Sequence, residues 1–299
     1  MLRLDAIPGL NSFVLYFALP CLLYRFGSTT PLSQLLNPGV FFTYLLCALI
    51  LVGFVVTVSM NRRIGWNDAA FGALVAAFPN TGFMGVPLLV ALLGAAAAGP
   101  AIATIMVDML VTTSLCVALS RLDGADEHGF AKAARNALRG VLVNPMPWAI
   151  LLGALASAIH LELPGPLAQT VGLLADAASP VALFTIGAVL ARSQMLVPAD
   201  GAASMPLRDY LPVAAIKLVL HPILVLLVGV GAMQLGVALD PYALIVIVLV
   251  AALPSASNVS LLAERFGANN GRIARIILVS TAAAFLTFSG AVALLVDRH

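Results

Sequence analysis

The stretch AAFPNTGFMGVPLL, residues 76–89, lies inside an apolar run long enough to cross a bilayer and interrupts it. Pro79 has no N–H to donate to a helical ladder, and its ring clashes with the carbonyl one turn back. Asn80, Thr81 and Gly82 then place polar side chains and unconstrained backbone at the same depth. In hydrocarbon such a break is costly unless it lines a cavity or is buried in protein. A second stretch, AALPSASNVSLL at 251–262, repeats the pattern with Pro254, Ser255, Ser257 and Asn258. Two interrupted spans in corresponding positions point to the central binding site of a transporter.

The rest of the chain supports that reading. Of its 299 residues, 62% are hydrophobic and 9% charged, and the mean hydropathy is +1.06. Soluble domains are nearer half apolar and a quarter charged, so an all-α integral membrane protein is expected. Cys21, Cys47 and Cys116 stand singly in apolar surroundings and read as small hydrophobes, not as a metal or disulfide set. The N-terminus runs straight into an apolar stretch without the features of a cleavable signal peptide, so none is expected.

Nine stretches have the length and apolarity of a membrane span: 10–27, 38–60, 67–93, 99–120, 145–160, 167–191, 210–231, 241–264 and 273–296. Pro145 and Pro147 suit the first turn of the fifth. With the sides alternating, one side collects Arg3, Arg62, Arg63, Arg121, Lys132, Arg135, Arg139, Arg192, Arg208, Arg265, Arg272 and Arg275. The other side has Arg25 and Arg298, and Lys217 lies inside a span. By the positive-inside rule the N-terminus is cytoplasmic and, after an odd number of spans, the C-terminus is outside. The segment AKAARNALRG at 131–140 suits a short amphipathic surface helix, and the connection 192–209 a flexible cytoplasmic loop.

Pro79 and Pro254 are 175 positions apart, and each follows two alanines and one large apolar residue. A weaker echo pairs ALP at 18–20 with ASP at 178–180. The alternation of sides makes the two interrupted spans antiparallel, as in an inverted-topology repeat.

These motifs resemble the auxin efflux carrier family, which includes plant PIN auxin exporters and bacterial malonate-type permeases. PNTGFMGVPLLVALLG at 79–94 is similar to that family's first crossover helix, and ALPSASNVSLLAERFG at 252–267 to its second. ASPVALFTIGAVLA at 178–191 and LNSFVLYFALPCLLYRF at 10–26 resemble two further family segments. The resemblance implies the bile acid–sodium symporter-like fold, in which a core domain moves like an elevator against a scaffold. Spans one, five and six would form the scaffold, the rest the core, and the crossing of the broken helices the substrate site. Family members have two five-helix inverted repeats. The family helix ahead of LNSFVLYFALP has no counterpart here, which implies four helices in an N-terminal repeat, 1–140, and five in a C-terminal repeat, 141–299. The expected reason is a chain that begins late or has been shortened, rather than a nine-helix variant. The resemblance further implies homodimers formed through the scaffold.

At an antiparallel crossing, half-helix N-termini offer N–H groups and positive dipole ends to an anion such as a carboxylate. Pro79, Asn80, Thr81, Gly82, Pro254, Ser255, Ser257 and Asn258 form the expected substrate site. The alternative for the Ser, Thr and Asn side chains is helix-to-helix hydrogen bonding without a ligand. Asp108 lies near the middle of the fourth span and is a candidate to carry a coupling proton, bind Na⁺ or pair with Lys217. Lys217 and His221, four apart, share a helix face. Lys217 is read as a residue that reaches back to the cytoplasmic surface or contacts substrate, His221 as a packing or proton-relay group. Asp176, nearer the outer end of its span, is a candidate for the entrance.

The expected function is secondary active transport of a small organic anion, a carboxylate such as malonate or an auxin-like acid, across the cytoplasmic membrane. A proton or Na⁺ gradient is the candidate driving force; no cofactor, metal or nucleic-acid partner is expected. No P-loop is present for ATP-driven transport. An anion channel would favour rings of charge or carbonyl loops, and a membrane-embedded enzyme a catalytic constellation that four scattered histidines do not supply.

Overall fold

In the computed structural model, residues 6–29, 37–121, 145–195 and 205–296 are described, and they are helical apart from short connections. The segment 131–140, the boundary between the two expected repeats and the middle of the connection 192–209, residues 196–204, lie outside the described residues. Helix α1 is Ile7–Thr29 and α2 is Pro38–Ser59. The first interrupted span is split into α3, Trp66–Ala77, and α4, a π-helical turn Thr81–Gly85 continued as Val86–Leu93. Then come α5 (Ala98–Ser120), α6 (Pro145–Ala158), α7 (Gly165–Met195) and α8 (Leu211–Gln234). The second interrupted span is split into α9, Pro241–Ala252, and α10, Asn258–Arg265; α11 is Asn270–Leu295.

The helix starts follow local chemistry. Asn37 and Asp240 each precede a proline and cap the next helix, their side chains accepting from the N–H of Val40 and Ala243 at 3.1 Å. Asn269 does the same for α11, accepting from the Arg272 N–H at 3.0 Å. Both breaks begin at a residue held extended by the proline after it: Phe78 at φ −98°, ψ 103° and Leu253 at φ −62°, ψ 155°.

Five described helices, α1, α2, α5, α8 and α11, are long and apolar enough to cross a membrane, and two shorter apolar helices accompany them. The chain is a multi-pass membrane protein. Each interrupted span falls short of a crossing helix because its halves are separate helices of 8 to 13 residues.

The helices pack in two groups that meet where α1 and α7 lie against α11. α1 lies against α6 and α7, and α1 meets α6 at Gly27 and Gly153. A Cβ on Gly27 would sit 2.6 Å from the Ile150 carbonyl oxygen, and one on Gly153 would run into that of Tyr24. Small residues allow such backbone approach between membrane helices. In the second group α2 packs on α3, α5 and α8, while α9 packs on α5, α8 and α11. Its centre is formed by the helices leading into the breaks: Ala69 to Ala77 of α3 and Val246 to Ala252 of α9 are buried without interruption. That enclosure removes the irregular backbone from lipid. Arg272, expected to flank the membrane at its surface, is instead buried, its Nε donating to the Asp209 carbonyl at 2.6 Å and Nη1 to that of Asp68 at 2.8 Å. It ties the starts of α3, α8 and α11 together.

Candidate functional site

The two breaks touch. Pro79 and Ser255 face each other in an isolated antiparallel bridge. The Asn80 N–H donates to the Pro254 carbonyl at 2.8 Å, and the Ala256 N–H donates to the Phe78 carbonyl at 2.9 Å. Each interruption therefore satisfies backbone groups that the other leaves open, which resolves the cost of breaking a helix away from water. α11 adds a third support, with Ser280 Oγ accepting from the Ser255 N–H at 3.2 Å.

All eight residues expected at the substrate site are brought to this crossing or to the first turns leaving it. Asn80, Thr81, Ser255, Ser257 and Asn258 are buried. Thr81 Oγ1, Ser255 Oγ, Ser257 Oγ and Asn258 Nδ2 are buried without a hydrogen-bond partner among the described residues. An unpaired buried polar atom costs about 1–3 kcal/mol, so most are satisfied in folded proteins. Four at one crossing are donors available to an acceptor ligand, and helices α4 and α10 direct their N-terminal ends to the same place. Of the four residues, Asn258 lines a cavity of about 20 Å³, together with Asn80 and Gly82, and Leu19, Leu22 and Leu23 of α1 close it. It has room for about one water molecule, less than a carboxylic acid needs.

A second polar set lies in the same group of helices. Asp108 opens a π-helical turn, Asp108–Thr112, inside α5, and Lys217 lies in another, Ile216–Leu220, inside α8. Such turns recur at functional sites. Asp108, Lys217 and His221 are fully buried. The sequence offered a direct Asp108–Lys217 pair as one alternative, but Tyr44 of α2 stands at the carboxylate instead. Its Oη donates to Asp108 Oδ2 at 3.3 Å, and Thr112 Oγ1 donates to Oδ1 at 3.2 Å. The Tyr44 ring lies 5.9 Å from that of His221. Lys217 does not reach back to the surface: its Nζ lies 3.1 Å from His221 Nδ1 and donates to the Ala251 carbonyl at 2.7 Å. Ala251 is three residues before Pro254, so the set runs from Asp108 to the second break. Tyr44 and the Ala251 carbonyl were missed in the sequence; a tyrosine inside an apolar span, whose hydroxyl needs a partner, was the available signal for the first.

Asp176 is elsewhere, paired with Arg25 at 2.7 Å between α7 and the C-terminal part of α1. Both side chains are substantially exposed, so the pair contributes at most about 1 kcal/mol. The structure does not bring Asp176 to the crossing.

The profile of a family described as "Membrane transport protein" matches residues 1–292. The chain is 29% identical over 288 residues to a Rhizobium meliloti (strain 1021) protein named "Putative malonate transporter", a match covering 96% of this chain and 86% of that protein. It is also 29% identical over 202 residues to the "Uncharacterized transporter YfdV" of Escherichia coli (strain K12), covering 67% of this chain and 59% of that protein. The Shigella flexneri protein of the same name matches equally. With the match running along almost its whole length and apolar helices of crossing length within it, the chain belongs to the membrane transport protein family, that of the auxin efflux carriers.

Proposed function

We propose that this protein is a secondary active transporter of a small organic anion, a carboxylate of the malonate or auxin-like class, working across the cytoplasmic membrane by elevator-type alternating access. The observation that carries the reading is the pair of reciprocal backbone hydrogen bonds between the two breaks, with four buried, unpartnered side-chain donors beside them. Neutral hydroxyl and amide donors and two helix N-termini hold a carboxylate without a permanent buried cation, which favours release as well as binding. The name of the Rhizobium meliloti relative supports a dicarboxylate.

In this reading nine spans form an inverted repeat, with the N-terminus cytoplasmic and the C-terminus outside. α1, α6 and α7 are the scaffold; the remaining helices carry the site. The small cavity is closed by scaffold leucines on one side and by the crossing on the other. A carboxylate is admitted when the carrying group slides along α1 and the leucines leave Asn80 and Asn258. Asp108 couples this movement to a proton or Na⁺. Its neighbours reach the Ala251 carbonyl beside the second break, so a change of charge at Asp108 alters the crossing.

The test is uptake into proteoliposomes of radiolabelled mono- and dicarboxylates, with imposed pH and Na⁺ gradients. Saturable uptake that shows counterflow and responds to one gradient is expected. Uptake of none of them, or a non-saturating flux without counterflow, contradicts the proposal.

A further inference from the structure

The crossing cavity has a larger neighbour on the same seam. A cavity of about 330 Å³ lies between α1 and α10, lined by Ser12, Leu15 and Tyr16 on one side and Leu261, Glu264 and Arg265 on the other. On α10, Asn258, Leu261 and Arg265 recur at helical spacing and share a face. On α1, Ser12, Leu15, Leu19 and Leu22 recur in the same way. The larger cavity and the crossing cavity are thus successive openings along one helix–helix seam. Leu15 and Leu261, both buried, line the larger one on its two sides.

At the larger opening Arg265 is cationic and Glu264 anionic, and Arg121 stands behind them against the Phe266 ring. The Arg265 guanidinium lies 5.0 Å from the centre of the Tyr16 ring and 5.6 Å from that of Phe266. The Arg121 guanidinium lies over the same Phe266 ring at 5.2 Å. Phe266 is held by the Phe71 ring at 6.0 Å and, through its carbonyl, by Asn67 Nδ2 at 3.2 Å. Neither arginine makes an ion pair among the described residues. Glu264 lines the same cavity and accepts from Asn270 Nδ2 at 2.6 Å. The aromatic rings hold both guanidinium groups by cation–π contact, and a guanidinium's planar fork of N–H donors matches a carboxylate.

We propose that the α1–α10 seam is the route by which the anion reaches the crossing, and that Arg265, stacked on Tyr16 and backed by Arg121, is its docking residue at the mouth. This rests on the organic-anion reading above for the identity of the cargo, but not for the presence of an arginine at the mouth. Because Tyr16 belongs to α1 and Arg265 to α10, the stack also bridges the two helix groups and parts when the seam opens.

The mouth is tested first without any cargo. A full-length chain carrying Ser12→Cys, with half-buried Cys21 replaced by alanine and buried Cys47 and Cys116 retained, is reacted with an anionic and with a neutral methanethiosulfonate in nanodiscs. The anionic reagent is expected to be favoured, and Arg265→Gln to lower the anionic-to-neutral rate ratio about threefold, as loss of one nearby charge in a wet site predicts. Arg265→Lys is expected to preserve the ratio. An inert cysteine, or a ratio that Arg265→Gln and Arg121→Gln leave unchanged, overturns the proposal. The second arm is carboxylate uptake, in which Arg265→Gln is expected to raise KM about tenfold with little change in the maximal rate. A positive first arm with no carboxylate carried leaves the mouth standing and removes the organic-anion reading. An unchanged KM with a loss of stabilisation by phosphatidylglycerol assigns the arginines to a lipid phosphate and overturns the route.

Discussion

Tyr44 touches two buried ionisable residues, Asp108 and His221. Its hydroxyl donates to Asp108, and its ring lies beside the His221 that contacts Lys217. Tyr44→Phe removes that donor and, among the described residues, leaves Thr112 Oγ1 as the remaining side-chain donor to the carboxylate. The expected loss is about 1–2 kcal/mol in thermal or denaturant unfolding, with altered response of uptake to the driving gradient; unchanged stability would show that the hydroxyl is not needed. Asp108→Asn and Lys217→Met should not add. Each single change leaves a buried charge of the other sign, whereas the double change removes both, so the double variant should be more stable than the sum predicts by about 1 kcal/mol or more. Additive losses would show that the two charges do not sense each other. At this scale the sequence was informative about identity and poor about partners. Asp108, Lys217 and His221 stood out as ionisable groups in apolar spans, but a linear chain does not show that Tyr44, 64 positions from Asp108, donates to its carboxylate.

At the scale of elements, prolines decide where helices stop, and pairing decides whether the stop is tolerated. Phe78 and Leu253 are extended because a proline follows, as the sequence predicts. The hydrogen bonds between the breaks depend on tertiary placement, and the sequence gives only their likeness and opposed direction as clues. The π-helical turns at Val14–Ala18 and Ile216–Leu220 each end two residues before a proline, Pro20 and Pro222, whose missing N–H leaves a carbonyl one turn back without its helical partner. The turn at Asp108–Thr112 has no such signal. The α1–α6 contact was equally hidden, because Gly27 and Gly153 look like ordinary glycines in apolar runs. Gly27→Ala places a methyl group against the Ile150 backbone, which cannot move aside as a side chain would. A loss of about 1–3 kcal/mol is expected in detergent-solubilised protein, while Gly53→Ala, which meets nothing within 4 Å, is expected to be neutral or slightly stabilising. Equal effects at both positions would contradict the close packing.

For the whole molecule, the distribution of charge sets orientation, and the grouping of helices sets what moves. Single cysteines in the segment 122–144 are expected to react with an impermeant reagent only from the cytoplasmic side, and cysteines at 30–36 only from outside; the reverse pattern would contradict the proposed orientation. Membrane character was legible from composition, since 62% hydrophobic content leaves no soluble alternative of ordinary make-up. The separation of α1, α6 and α7 from the other helices came from resemblance, because no local feature of 10–27, 145–160 or 167–191 says which helices they touch. The central claim is that the crossing of the two breaks binds the transported anion. The most direct measurement is counterflow of radiolabelled carboxylates in proteoliposomes containing the wild type or the Asn80→Ala/Asn258→Ala variant, each shown to be folded by its elution profile and thermal transition. The account predicts saturable exchange by the wild type and a loss of at least about tenfold in the variant, as removal of site-specific hydrogen bonds requires. Wild-type exchange by a folded variant lacking both asparagines would contradict it.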